Sequence, residues 1–583
     1  MKASDAIARL LAAHGARHCF ELIGGMIAHL VDSIAALDAT RIISMHHEQG
    51  AAFAAEGVAR ASCGRELTVA LGTSGPGATN LLTGIGSCWF DSVPVLFITG
   101  QVNTGELKRE LPIRQQGFQE LDIVAMARPI TKLAVQVEST ETLLQDLDRA
   151  IHIMRDGRPG PVLVDIPNDV QLREIPDALV EDFLSRIAAP AAPAAPAPIA
   201  GAALERLRAL CAEARQPLVC LGGGARWAAP LDEWTARLDT CGVPYVSTLM
   251  GHERVRGGPA YFNMIGAYGN REANWAVQNC DLLIVLGSRL DVRQTGADPH
   301  DFARRAKIVH VDVDPGQINN RVHNEMALVA DAEEFIAAFV PGMDVFPTMD
   351  PAWLPTLQQA AKLANVDDYP EWPISPARLF RGINETFSGT ALDYVCDVGN
   401  HQMWAAHGLR VGPRQAVHYS GGMGAMGFAL PAAIGIALHS AQPALVLTGD
   451  GSLQINIQEL DTLARLKLDV GIIVMNNTSL GMVKNFQDLY FEGRDQSTRT
   501  GYSAPDFVRV AQAYGIEAAR VSMPDELGPA LRAHKGRRGP FLLELMMPYA
   551  TECRPRLAFG CKLDQQLPVL EGWTALAGNL RVA

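Results

Sequence analysis

Long hydrophobic runs are missing from this chain of 583 residues: no apolar stretch reaches the roughly 18 residues that a membrane span needs. Positive charge is also in short supply. Fifty lysines and arginines stand against 63 aspartates and glutamates, giving a net charge of −13 and no basic field that would hold nucleic acid. A cysteine framework is lacking too: the ten cysteines are scattered without a single Cys-x-x-Cys pair, which argues against zinc and disulfide frameworks and for buried, reduced thiols. Residues 1–11 carry charges inside an amphipathic helical pattern and do not read as a signal peptide. These absences lead us to expect a cytoplasmic protein with no membrane and no nucleic-acid partner.

What is present is the composition of a globular protein, 48% apolar and 19% charged, long enough for about three domains. Short apolar runs at 18–23, 41–45, 66–71, 93–99 and 161–166 alternate with helical patterns, as in a parallel sheet covered on both faces. Residues 187–202 are dominated by alanine and proline and read as a semi-rigid linker. A second unit has strand patterns at 217–221, 243–248, 281–286 and 307–312; residues 346–376 read as a second linker, and alternation then resumes. The fold class expected is α/β, three doubly wound parallel-sheet domains over residues 1–186, 199–345 and 371–560. The tail from residue 549 onward shows no pattern that places it.

The third unit contains the most informative stretch. An apolar run ends at Gly449-Asp450-Gly451-Ser452, a buried strand stopping at a tight turn that opens a helix, and such a corner accepts phosphate. Asn477 follows 27 positions later, the length of one turn, one helix and one return strand, so Asp450 and Asn477 emerge at the same sheet edge. One carboxylate, one amide oxygen and a backbone carbonyl such as that of Ser479 suit a hard cation, magnesium (Mg²⁺). In the first unit Glu48 stands just after a strand, at the mouth of an alanine-rich helix. The adjacent His46 and His47 lack the i, i+4 spacing of a helical metal site and read as packing residues.

Gly449-Asp450-Gly451 closed by Asn476-Asn477 resembles the magnesium and diphosphate motif of thiamine-diphosphate-dependent enzymes. The likeness is closest to the acetolactate synthases. It includes Gly75-Pro76-Gly77-Ala78-Thr79-Asn80, Thr99-Gly100-Gln101, Phe118-Gln119-Glu120 and Gly157-Arg158-Pro159-Gly160 in the first unit. In the later units it includes Leu249-Met250-Gly251, Gly287-Ser288-Arg289 and the glycine-rich run 421–435. The resemblance implies pyrimidine-binding, central and diphosphate-binding domains. It implies thiamine diphosphate and Mg²⁺ as cofactors, with Asp450, Asn477 and Ser479 on the metal. Asn400, His401, Gly424, Met426, Gly449, Gly451, Ser452 and Met482 would lie on the cofactor.

Glu48 would contact the aminopyrimidine ring, Met426 would hold the cofactor bent, and Phe118 and Gln119 would line the acceptor side. The central domain resembles a part that carries FAD, or another adenine nucleotide, with Arg289 and Asp312 as contacts. Sites would lie between chains of a homodimer or homotetramer. The activity implied is decarboxylation of a 2-oxo acid, pyruvate foremost, and ligation of the product to a second carbonyl compound. Two departures put that second compound in question: Asn168 stands where the family has lysine, and Phe486 where it has tryptophan. The alternatives are an acyloin-forming carboligase or decarboxylase with another acceptor, and a catalytically silent cofactor-binding subunit.

Overall fold

The computed structural model describes residues 1–187, 199–340, 344–549 and 553–573. Its strands form three six-stranded sheets, all parallel. The first contains β1 (His18–Glu21), β2 (Arg41–Ser44), β3 (Thr68–Gly72), β4 (Leu96–Gln101), β5 (Leu133–Gln136) and β6 (Val162–Pro167), in the order β2-β1-β3-β4-β6-β5. The second contains β7 (Pro217–Leu221), β8 (Tyr245–Ser247), β9 (Tyr261–Met264), β10 (Leu282–Leu286), β11 (Lys307–Asp312) and β12 (Met326–Val329), in the order β12-β11-β10-β7-β8-β9. The third contains β13 (Leu392–Cys396), β14 (Gln415–Tyr419), β15 (Ala444–Gly449), β16 (Val470–Asn476), β17 (Glu517–Val521) and β18 (Phe541–Met546). Its order, β14-β13-β15-β16-β18-β17, repeats the topology of the first sheet.

Central strands such as β3, β4, β15 and β16 are buried at every position because helices cover both faces, and their sequences are continuous apolar runs for the same reason. Edge strands are different. β5, β9 and β12 are half-exposed or alternate in burial, and none of the three stands out in the sequence. The proline-rich linker falls mostly on residues 188–198, outside the described residues.

Residues 346–376 are more than a linker. They contain the helix Trp353–Ala364, whose Trp353 is buried, donates from Nε1 to the Pro217 carbonyl at 2.9 Å and packs on Trp275. Burial of this aromatic together with Leu357 and Ala360 docks the helix on the central domain. The described part of the tail, 553–573, has no regular structure and runs back over the central domain, where Leu557 N donates to the Ala267 carbonyl at 2.7 Å and Leu563 joins the core.

The first and third domains share a core. The helix Glu48–Ala61 crosses the helix Ala429–Ser440 so closely that a Cβ on Gly57 would stand 2.3 Å from the Ala432 carbonyl oxygen, and one on Gly435 2.0 Å from that of Ala54. Phe53 and Phe428 meet edge to face beside this crossing, with ring centroids 5.6 Å apart.

Candidate active site

Two neighbouring strand ends build the third-domain half of the site. β15 ends at Gly449 and Asp450 begins the short helix Asp450–Ile455, while β16, hydrogen-bonded beside β15, ends at Asn476. Parallel neighbours deliver the residues that follow them to one edge. There the outer amide atom of Asn477 lies 3.0 Å from Asp450 Oδ1 and 2.9 Å from the Ser479 carbonyl oxygen. As nitrogen that atom donates to both; as oxygen it completes a face of three oxygens. Cis ligands of an octahedral Mg²⁺ stand about 2.9 Å apart when each is about 2.05 Å from the metal, and the oxygen orientation matches that spacing. Burial pushes the Asp450 carboxyl up to about 6, against the pull of the Tyr502 hydroxyl, which donates to Oδ2 at 2.9 Å. A cation on Oδ1 would restore the ionised form.

Next to this face several buried polar atoms have no partner among the described residues: both amide atoms of Asn400, His401 Nε2 and Ser479 Oγ. Native interiors leave few such groups, and a cluster of them marks a place for a polar ligand. The backbone is bare where that ligand would approach. A Cβ on Gly449 would stand 2.9 Å from His401 Nδ1, and one on Gly481 2.4 Å from Asn400 Nδ2. Burial lowers the His401 imidazolium to about 3, so the ring is neutral and can donate or accept without adding charge. A diphosphate fits this arrangement, with Mg²⁺ supplying the positive charge.

The loop 421–428 overhangs this edge. Gly424 has φ +66, the left-handed region that favours glycine, and Met426 Cε lies 3.4 Å from the position a Cβ on Gly451 would take. Asp397 holds the far end of the loop, accepting from Gly427 N at 2.9 Å and Ala429 N at 3.1 Å. Ser452 Oγ donates to the Val398 carbonyl at 2.7 Å, and Met482 packs on the domain core.

The first-domain half lies at the carboxyl edge of its own sheet. Glu48 begins its helix, is buried, and accepts from Asn80 Nδ2 at 2.9 Å. Gly77, in the same helix as Asn80, leaves room for it: a Cβ there would be 3.1 Å from Glu48 Oε1. Gln119, at φ +63, packs its backbone on Gly75, and Phe118 beside it is 79% exposed. Gln101 steadies that loop, donating from Nε2 to the Leu121 carbonyl at 2.8 Å and to the buried Asp165 at 3.1 Å.

The structure thus groups Asp450, Asn477, Ser479, Asn400, His401, Gly449, Gly451 and Met426 at one edge, and Glu48 and Gln119 at another. Sequence reading passed over Tyr502, Asp397 and the role of Asn80. Asn80 sits inside a motif that drew attention for its glycines, whereas Tyr502 lies on an irregular segment whose sequence carries no signal.

Three family models match the chain: the thiamine pyrophosphate enzyme N-terminal TPP binding domain over residues 1–126, the central domain over 204–339, and the C-terminal TPP binding domain over 397–545. A probable acetolactate synthase large subunit from Methanocaldococcus jannaschii is 35% identical over 97% of this chain and 94% of its own length. An acetolactate synthase large subunit from Cyanidium caldarium is 33% identical over 96% of each. The acetolactate synthase isozyme 2 large subunit of Escherichia coli is 32% identical over 98% of this chain and 100% of its own. With both cofactor-binding domains matched and kinship running along nearly the whole length, the chain belongs to the thiamine pyrophosphate enzymes, in the family of acetolactate synthase large subunits.

Proposed function

We propose that this thiamine-diphosphate-dependent carboligase decarboxylates pyruvate and joins the remaining two-carbon unit to a second carbonyl compound, which gives 2-acetolactate when that compound is also pyruvate. The observation that carries this reading is the convergence of the Asp450 carboxylate and the Ser479 carbonyl on the Asn477 amide, at 3.0 and 2.9 Å, beside the polar atoms of Asn400 and His401 that lack a partner among the described residues. Asp450 and Asn477 would hold Mg²⁺, and Asn400 and His401 the diphosphate. Gly424 and Met426 would shape the pocket for the rest of the cofactor. When bound, the cofactor supplies an electron sink for the carbon exposed as carbon dioxide leaves. Glu48, oriented by Asn80, would hold the proton at the aminopyrimidine ring. Gln119 and Phe118 would border the acceptor.

Each site would form between two chains of a homodimer or homotetramer in the cytoplasm, which light scattering with and without cofactor would test. In the central domain the strand order reverses between β7 and β10, the position at which sheets of this order take nucleotides. Arg289 and Asp312 stand near that edge, and we assign them to FAD or another adenine nucleotide; the absorbance spectrum of the purified protein distinguishes the two.

A second reading, with an aldehyde or another carbonyl compound as acceptor, is favoured by Asn168 and Phe486. Asn168 carries no charge and is turned toward Asn103 Oδ1 at 3.4 Å, while Phe486 is 51% exposed on the helix Gly481–Tyr490. Incubation with pyruvate alone separates the readings: acetolactate supports the first, and carbon dioxide without acetolactate the second. Glu48→Gln is expected to lower turnover at least about a hundredfold while thiamine diphosphate still binds. An unchanged rate would remove Glu48 from the reaction.

A further inference from the structure

The loop 421–428 is gripped at its front end from outside its own domain. Asp91, the last residue of the helix Pro76–Asp91 in the first domain, accepts from Gly422 N on Oδ1 at 2.7 Å and from Gly421 N on Oδ2 at 3.1 Å. Glu253, of the central domain, accepts from Tyr419 N on Oε1 at 2.9 Å. Both carboxylates are buried, and one buried guanidinium joins them: Arg60 reaches Asp91 Oδ2 at 2.6 Å, Glu253 Oε1 at 3.0 Å and Glu56 Oε1 at 2.6 Å. Arg226 adds a second cation, 3.3 Å from Glu253 Oε2, and donates to the Asp91 carbonyl at 2.6 Å.

The two glycines fit this grip. A Cβ on Gly422 would stand 2.9 Å from Asp91 Oδ1 and 2.7 Å from Phe90 Cβ, and one on Gly421 2.3 Å from Met250 Sδ. Only bare backbone lets the other two domains come so close. Asp397 holds the opposite end, so the span that presents Gly424 and Met426 is fixed by buried carboxylates on both sides.

We propose that Asp91, oriented by Arg60, is a positioning residue for the cofactor: the first domain of each chain sets the shape of the 421–426 loop in its own third domain. Asp91 touches no reacting atom. This rests on the reading that Gly424 and Met426 border the ring end of thiamine diphosphate, while the diphosphate end is held by β15 and β16.

That division supplies the test. In Asp91→Asn the amide must turn a donor toward one of the two glycine N–H groups, and the affinity for thiamine diphosphate with Mg²⁺, read by calorimetry, is expected to fall about tenfold or more. The affinity for inorganic pyrophosphate with Mg²⁺ is expected to stay within about twofold, because pyrophosphate never reaches the loop. Equal losses for both ligands, or no loss for either, would overturn the proposal. Met426→Ala distinguishes failure of the clamp from failure of the loop assignment. If it leaves thiamine diphosphate binding unchanged, the assignment falls and the proposal with it. If it weakens binding while Asp91→Asn does not, only the clamp is wrong. Hydrogen exchange on the unaltered protein needs no variant: the 421–422 amides are expected to be protected before any cofactor is added, and rapid exchange there would overturn the clamp even if Asp91→Asn does not fold.

Discussion

At the scale of single residues, spacing and periodicity located the side chains that end buried strands, whereas those delivered by loops, such as Gln119 and Met426, entered only through the family resemblance. Asp450 and Asn477 each follow a continuous apolar run, and strand pairing then brings them to a common edge. Tyr502 reaches the same carboxylate from 52 positions away along an irregular segment, and no periodicity announces it. Its hydroxyl occupies Asp450 Oδ2 and leaves Oδ1 facing Asn477. Tyr502→Phe is expected to weaken Mg²⁺ binding about tenfold with the fold intact, checked by titrating the metal at fixed thiamine diphosphate. Asp91 was equally hidden, since its partners are backbone N–H groups more than three hundred residues away.

At the scale of elements, core strands announced themselves while the edge strands β5, β9 and β12 did not, because only strands covered on both faces are apolar throughout; the edge strand β2 was legible through its pair of isoleucines. The Trp353–Ala364 helix was missed for a different reason. Its stretch reads as a connector, and its docking depends on Trp353, Leu357 and Ala360 finding the core of the central domain. The crossing of Glu48–Ala61 with Ala429–Ser440 inverts a common expectation. Alanine for glycine inside a helix ordinarily stabilises by about 1 kcal/mol. At Gly57 and Gly435 the added methyl meets a carbonyl oxygen, so Gly435→Ala is expected to cost about 1–3 kcal/mol in chemical denaturation.

At the scale of the molecule, the first and third domains are joined by a polar seam as well as an apolar one. Glu66 is buried and accepts from His18 Nδ1 at 2.8 Å, His439 Nδ1 at 2.6 Å and Arg17. Although burial opposes its charge, these partners together hold its carboxyl well below the ordinary 4.5. A depressed carboxylate pKa stabilises the folded state above the unfolded value and ceases to do so as pH falls toward the folded one. Stability is therefore expected to decline as pH drops below about 4.5, and Glu66→Gln to lose that part of the decline, measured as denaturation midpoints from pH 7 to pH 3.

The returning tail has a mechanical consequence for the central domain. The chain leaves that domain after the Trp353 helix, builds the third sheet, and comes back along 553–573, where Arg304 pairs with Asp564 and Arg271 Nη2 donates to the Pro568 carbonyl at 3.1 Å. The central domain is already joined to the first through Arg60 with Glu253 and Arg226 with the Asp91 carbonyl, and each further attachment removes a freedom of rotation. The central domain of this chain is strapped rather than tethered, and the glycine loop that its Glu253 helps to hold inherits that stiffness.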